Sequence, residues 1–219
     1  MTTKQTEPFP PEIVLALAHT PVSLREKLSA ALALDRRLAK IVAGTNEPML
    51  GQMRLAWWRD MLRAEAVGRP VGDQVLDSIS RHWPDDAVCL VGLVNAWEQM
   101  LGEPPLPRAS IEEFGCGRGR VFAAALLGRN AEQAPEHANA AAQRWALTDA
   151  ALHIENIEER GAFLELARAL PNTERLKRPF KGLAILSALS MRSLKNDGTP
   201  LIFGRGAAVA AWKAAILGR

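Results

Sequence analysis

Tyrosine is absent from this chain, cysteine occurs only twice, and β-branched residues are thinly scattered among alanines and leucines. Each shortage argues against something. Strands favour branched and aromatic side chains, whereas Ala and Leu lose little freedom in a helix, so a β-rich fold is disfavoured. Cys89 and Cys116 do not make the framework of a small secreted domain, and they fit a reduced protein better. No apolar run approaches the roughly 20 residues that a membrane span requires. The longest, Ala87 to Val94, is far too short. The start, Met1 to Pro11, is polar and proline-bearing, without the apolar stretch of a secretory signal. A cytoplasmic protein, soluble or peripheral at the inner membrane, is the expectation.

What is present is enough to fold. A hydrophobic fraction of 48% supports a sizeable core, and 23% charged residues argue against disorder. The 219 residues are read as a single all-α domain over 1–219. Six Trp stand against six Phe. Large rings with a polar N–H suit helix packing near a cleft, and they serve equally as core filling. The formal charge of +3 is uneven. From Glu174 to Arg219 nine basic residues face only Glu174 and Asp197, a net +7 that leaves −4 for residues 1–173. Such a quarter can face phosphates, anionic lipid heads or an acidic partner, or can simply be a solvated face. A nucleic-acid partner is not expected.

Helical periodicity runs almost throughout. Ser23 with Glu26 has the spacing of a capping box and predicts a helix start, with Leu24, Leu28, Ala31, Leu38 and Val42 near one face behind it. After the turn Gly44–Pro48, a second helix carries Met49, Met53, Trp57 and Met61 at four-residue steps and ends by Gly68–Pro70. Shorter helices are predicted over Asp73–His82 and Asp85–Leu101. Pro104, Pro105 and Pro107 then forbid helix over Gly102–Arg108. Ser110 with Glu113 is a second capping box, opening the helix with Phe114, Val121 and Leu126. A long helix is predicted from Ala131 to about Arg160. Beyond it come a shorter helix, a basic one over Phe180–Leu194, a turn at Asn196–Pro200 and an Ala-rich helix, Gly206–Leu217. Short connections suit helices packing antiparallel.

The most informative stretch is Glu47-Pro-Met-Leu-Gly-Gln-Met-Arg-Leu-Ala-Trp-Trp-Arg-Asp60. It resembles the helix of squalene/phytoene synthase-like proteins in which a Pro-x-x-Gly turn leads into Arg-Leu-x-Trp-Trp-Arg-Asp. Looser matches follow in order over about 13–195: Leu15–Asp35, Val88–Pro105, Gly115–Gly128 around Arg118 and Gly119, Gln143–Asp149, and Leu183–Leu194. The resemblance implies a helical bundle of the isoprenoid synthase type. Active members join two allylic prenyl diphosphates head to head. Two Asp-rich helical motifs, each with carboxylates at i and i+4 on one face, hold Mg²⁺ that neutralises the diphosphate.

The chain departs from that pattern at those points. In place of the first motif stands Ala-Leu-Asp35-Arg36-Arg37-Leu-Ala-Lys40, where the i+4 partner of Asp35 is Ala39. In place of the second stand Asp149 and His153, then Glu155, Glu158 and Glu159. A solvated helix face is the plainer reading of these acids. The residues that the resemblance and the motif positions single out for ligand binding are Asp35, Arg36, Arg54, Trp58, Arg118 and Asp149. Asp149, Glu155 and Glu159 would be the metal ligands of an active enzyme. One branch of the superfamily, including a mitochondrial complex I assembly factor, shows the Trp-Trp motif and is regarded as non-catalytic. This chain looks closer to that branch.

Other signals are weaker. Gly115-Cys-Gly117-Arg-Gly119-Arg120 lacks the sixth-position glycine of a dinucleotide fingerprint, and no strand precedes it. Arg54, Trp58, Arg59 and Asp60 form either a binding surface or a solvated edge beside a core Trp57. Four scattered histidines show no zinc spacing. Trp212, with Lys213 and Arg219 nearby, suits either a membrane-surface anchor or an ordinary docking helix. The expected function is a non-catalytic member that binds a prenyl lipid or diphosphate, or a membrane-protein partner, in the assembly of a respiratory complex. No cofactor is expected in that case. The alternative is an active, divergent Mg²⁺-dependent prenyltransferase.

Overall fold

The computed structural model describes residues 8–45, 47–127, 134–171 and 175–218. The predicted helix start at Ala131, the charges of Glu174 and Arg219, and most of Met1–Pro11 lie outside these residues. Among the described residues the chain is all-α, with ten helices and no strand. In order these are α1 (Pro11–Ala18), α2 (Val22–Ala43), α3 (Pro48–Arg63), α4 (Gln74–His82) and α5 (Val91–Glu98). The second half contains α6 (Arg108–Ala125), α7 (Glu136–Ala151), α8 (Ile157–Ala169), α9 (Lys181–Lys195) and α10 (Gly204–Leu217). Among the described residues no helix is long and apolar enough to cross a membrane.

Helix α7 lies at the centre because almost every side of it is small or apolar. Ala138, Ala141, Ala142, Trp145, Leu147 and Ala151 are all buried, and only Glu136 and the half-buried His137, Asn139, Gln143 and Asp149 are left to meet water. It packs against α6, α8 and α9, while α6 also meets α5 and α2. Glycine sets the closest of these approaches. A Cβ on Gly119 of α6 would sit 2.7 Å from the backbone nitrogen of Gln143 on α7, so only glycine lets the two backbones come this near. Helix α10 packs on α9, which packs in turn on α7 and α1.

Several sequence expectations change here. Neither predicted capping box exists: α2 and α6 start at the residue directly after Pro21 and Pro107, and Ser23 and Ser110 lie inside the helices. Working caps are instead Asp73, which accepts from the amides of Val75 and Leu76 at 2.9 and 3.1 Å, and Asn156. The predicted long helix over 131–160 is two helices, α7 ending at Ala151 and α8 starting at Ile157. In α3 the residues at four-residue steps do not mark the buried face. Met49, Met53 and Trp57 are exposed, whereas Gly51, Leu55, Trp58 and Leu62 form the buried face.

Candidate functional site: a buried guanidinium between two carboxylates

Helix α2 is apolar around Leu34 and Leu38, and it carries Asp35 inward on that same face, 3% exposed. An aspartate in such a place needs partners, because burying an unpaired carboxylate costs several kcal/mol, on the order of a domain's whole stability. Arg118 of α6 supplies them. Its Nε donates to the two carboxylate oxygens of Asp35 at 2.9 and 3.1 Å, and its Nη2 donates to Oδ2 at 2.7 Å. The indole N–H of Trp97 on α5 donates to Oδ1 at 2.7 Å.

The same guanidinium reaches a second carboxylate. Nη2 donates to Oδ2 of Asp149 on α7 at 2.6 Å, and Nη1 donates to the Ala146 carbonyl at 2.9 Å. Three rings enclose the cation: Trp145 with its centroid 4.6 Å away, Trp97 at 5.5 Å and Phe114 at 5.7 Å. Rings at such distances attract a cation through their π faces. Burial alone would weaken the charged form of Arg118. Asp35 and Asp149 outweigh it and hold the group above its ordinary value, so it stays charged. The close packing at Gly119, one residue on, brings Arg118 within reach of α7.

Glu12 of α1 stands beside this centre. Burial is the main cause that raises its pKa, and the charge of Asp149 adds to it against the opposing pull of its backbone amide and of His153.

The sequence-predicted residues therefore divide. Asp35, Arg118 and Asp149 come together from three helices. Arg36 lies at the surface side of α2, donating to the Pro8 carbonyl at 2.8 Å. Trp58 is a core residue rather than part of a binding surface, and the cation near its ring is Arg37, not Arg54. Arg54 is exposed and reaches Thr45 at 3.5 Å. The metal set does not assemble. Glu155 is exposed in the link between α7 and α8, so it shares no helix with Glu159, and the i,i+4 geometry is lost. Glu159 is buried, and burial raises its pKa against the opposing pull of the Leu106 backbone amide.

These residues do not fit Mg²⁺. A divalent cation needs several oxygen ligands around a common point. Here the point between Asp35 and Asp149 is occupied by a guanidinium hydrogen-bonded to both. Among the described residues no group of three or more His, Cys, Asp or Glu is placed to hold a metal ion. A separate open cleft of about 500 Å³ lies between α6, α7 and α8, with Cys116, Gln143, Leu147 and Leu166 in its lining. Cys116 and Leu147 are each two residues from Arg118 and Asp149, about 200° round their helices. The cleft thus opens away from the charged centre.

Sequence reasoning missed Trp97 as the partner of Asp35, and missed Glu12 and the enclosing Trp145. No family model, curated protein or solved structure matches the chain.

Proposed function

We propose that this chain is a non-catalytic protein of the squalene/phytoene synthase type, a binding or assembly protein that works at the cytoplasmic side of an inner membrane. The observation that supports this reading is Arg118. Head-to-head prenyl transfer needs cations that can meet a diphosphate as it ionises. In this chain the cation between the two carboxylates is a buried side chain whose hydrogen bonds are spent on Asp35, Asp149 and Ala146. Such a group holds helices together and leaves no charge to stabilise a departing diphosphate. Partner binding is the role that remains. Met49, Met53 and Trp57 along α3 offer an exposed apolar ridge suited to a prenyl lipid or to a membrane-protein partner such as a respiratory-complex subunit under assembly.

The test uses purified, folded protein with radiolabelled farnesyl and geranylgeranyl diphosphates and Mg²⁺, with and without NADPH. The expected result is no hydrocarbon or presqualene-type product. Product that disappears with EDTA would overturn the reading, and Asp149, Glu155 and Glu159 would then be the residues to substitute.

A further inference from the structure

Helix α10 is built inside out. Ala207, Ala211 and Ala214 form the side packed on the body of the protein. The bulky apolar residues Val209, Trp212 and Ile216 are all exposed, Trp212 at 65%. At about 100° of rotation per residue, Arg205, Val209, Trp212 and Ile216 fall within roughly 60° of arc, opposite the alanine stripe. Folding alone would favour the reverse arrangement, with large side chains inward and small ones out. Phe203, just before the first turn and 58% exposed, extends the apolar surface at one end.

Cations surround this stripe. Arg205 continues it and Lys213 flanks it, both exposed. The basic segment after α8 is tied to the far end of the helix, because the Leu176 amide donates to the Gly218 carbonyl at 2.7 Å. That bond places the exposed Arg175 and Lys177 beside the C-terminal turn. Over described residues 175–218 eight basic side chains face one acid, Asp197.

We infer that the outer face of α10 is a docking surface for an anionic lipid bilayer. Trp212, Val209, Ile216 and Phe203 enter the headgroup–acyl boundary, and Arg205, Lys213, Arg175 and Lys177 meet lipid phosphates. Charge complementarity selects a bilayer over an apolar protein groove, which would leave the cations unpaired. The inference deepens the membrane part of the proposed function and rests on it for its setting. Vesicle binding and prenyl diphosphate turnover are separate measurements, so either can fail without the other.

The experiment is flotation of the full chain with phosphatidylcholine vesicles, with and without about one-third phosphatidylglycerol. Binding is expected only to the anionic vesicles, and it should weaken as salt is raised. Trp212→Ser should reduce partitioning at least tenfold. Arg205→Gln/Lys213→Gln should reduce it about 25-fold, at about fivefold per cation. Both variants change exposed positions, and circular dichroism checks that each stays helical. If Trp212→Ser loses helix, the charge pair alone decides. No binding to anionic vesicles, equal binding to neutral ones, or unchanged binding by the variants would each overturn the assignment. A dimer in solution that Trp212→Ser dissociates, without vesicle binding, would also overturn it in favour of a second copy of the chain.

Discussion

Replacing Arg118 by methionine keeps most of the side-chain volume and removes the charge from between Asp35 and Asp149. The two carboxylates would not suffer equally. The Asp149 side chain is 23% exposed and can turn toward water, whereas that of Asp35 is 4% exposed and would retain only the Trp97 N–H. Breaking a buried ion pair from one side costs about 3–5 kcal/mol, and Asp35 should carry most of it. Against a total stability of roughly 5–15 kcal/mol this is a large fraction. For a chain of this size it corresponds to a melting-temperature fall of roughly 6–20 °C. Urea unfolding of wild type, Arg118→Met, Asp35→Asn and the double variant would measure it as a cycle. The double variant should be less destabilised than the two single losses combined, with a coupling of about 2–3 kcal/mol. A loss under about 1 kcal/mol for Arg118→Met, or additivity within about 0.5 kcal/mol, would refute the reasoning.

The two neighbouring tryptophans should behave very differently in thermal unfolding. Trp58→Ala empties a core position and should cost about 3–5 kcal/mol, while Trp57→Ala loses chiefly an edge contact worth no more than about 1.5 kcal/mol. Glu12 has its pKa raised in the folded state, so the native chain binds the extra proton and its charged form weakens the fold. Stability contributed by this group is therefore lost as pH rises from the ordinary glutamate value of 4.5 through the raised one. Glu12→Gln should unfold at a higher temperature than wild type at pH 7, with the difference vanishing below about pH 4.

Punctuation by proline and glycine made much of the helix order legible. The triple-proline segment is non-helical from Gly102 to Pro107, with Arg108 already opening α6, and the turn at Asn196–Pro200 stands where the sequence places it, with Asp197 and Gly198 in left-handed conformations. The break after Ala151 was not legible, because Leu152 and Ile154 continue an apolar pattern and the cap, Asn156, is a common polar residue. Four-residue spacing does not set the phase of α3, for a geometric reason. Four-residue steps advance about 40° each, so Met49 to Met61 drifts about 120° and does not trace one face. Alternating steps of four and three, as in Gly51, Leu55, Trp58 and Leu62, hold a face. At the site, Asp35 was conspicuous as a lone carboxylate in an apolar helix. Its partners were not, since Trp97 lies 62 residues away and Arg118 lies 83 away, and nothing in one sequence links such separations.

A cation that a protein borrows from its surroundings comes and goes with supply, competes with other ions and can be stripped by a chelator. Arg118 is carried on α6 by covalent bonds, so its local concentration beside Asp35 is set by the docking of α2, α6 and α7 and by nothing outside the chain. The centre is complete whenever these three helices are in place. Its occupancy is thus a record of folding, indifferent to the ionic composition of the compartment in which the protein finds itself.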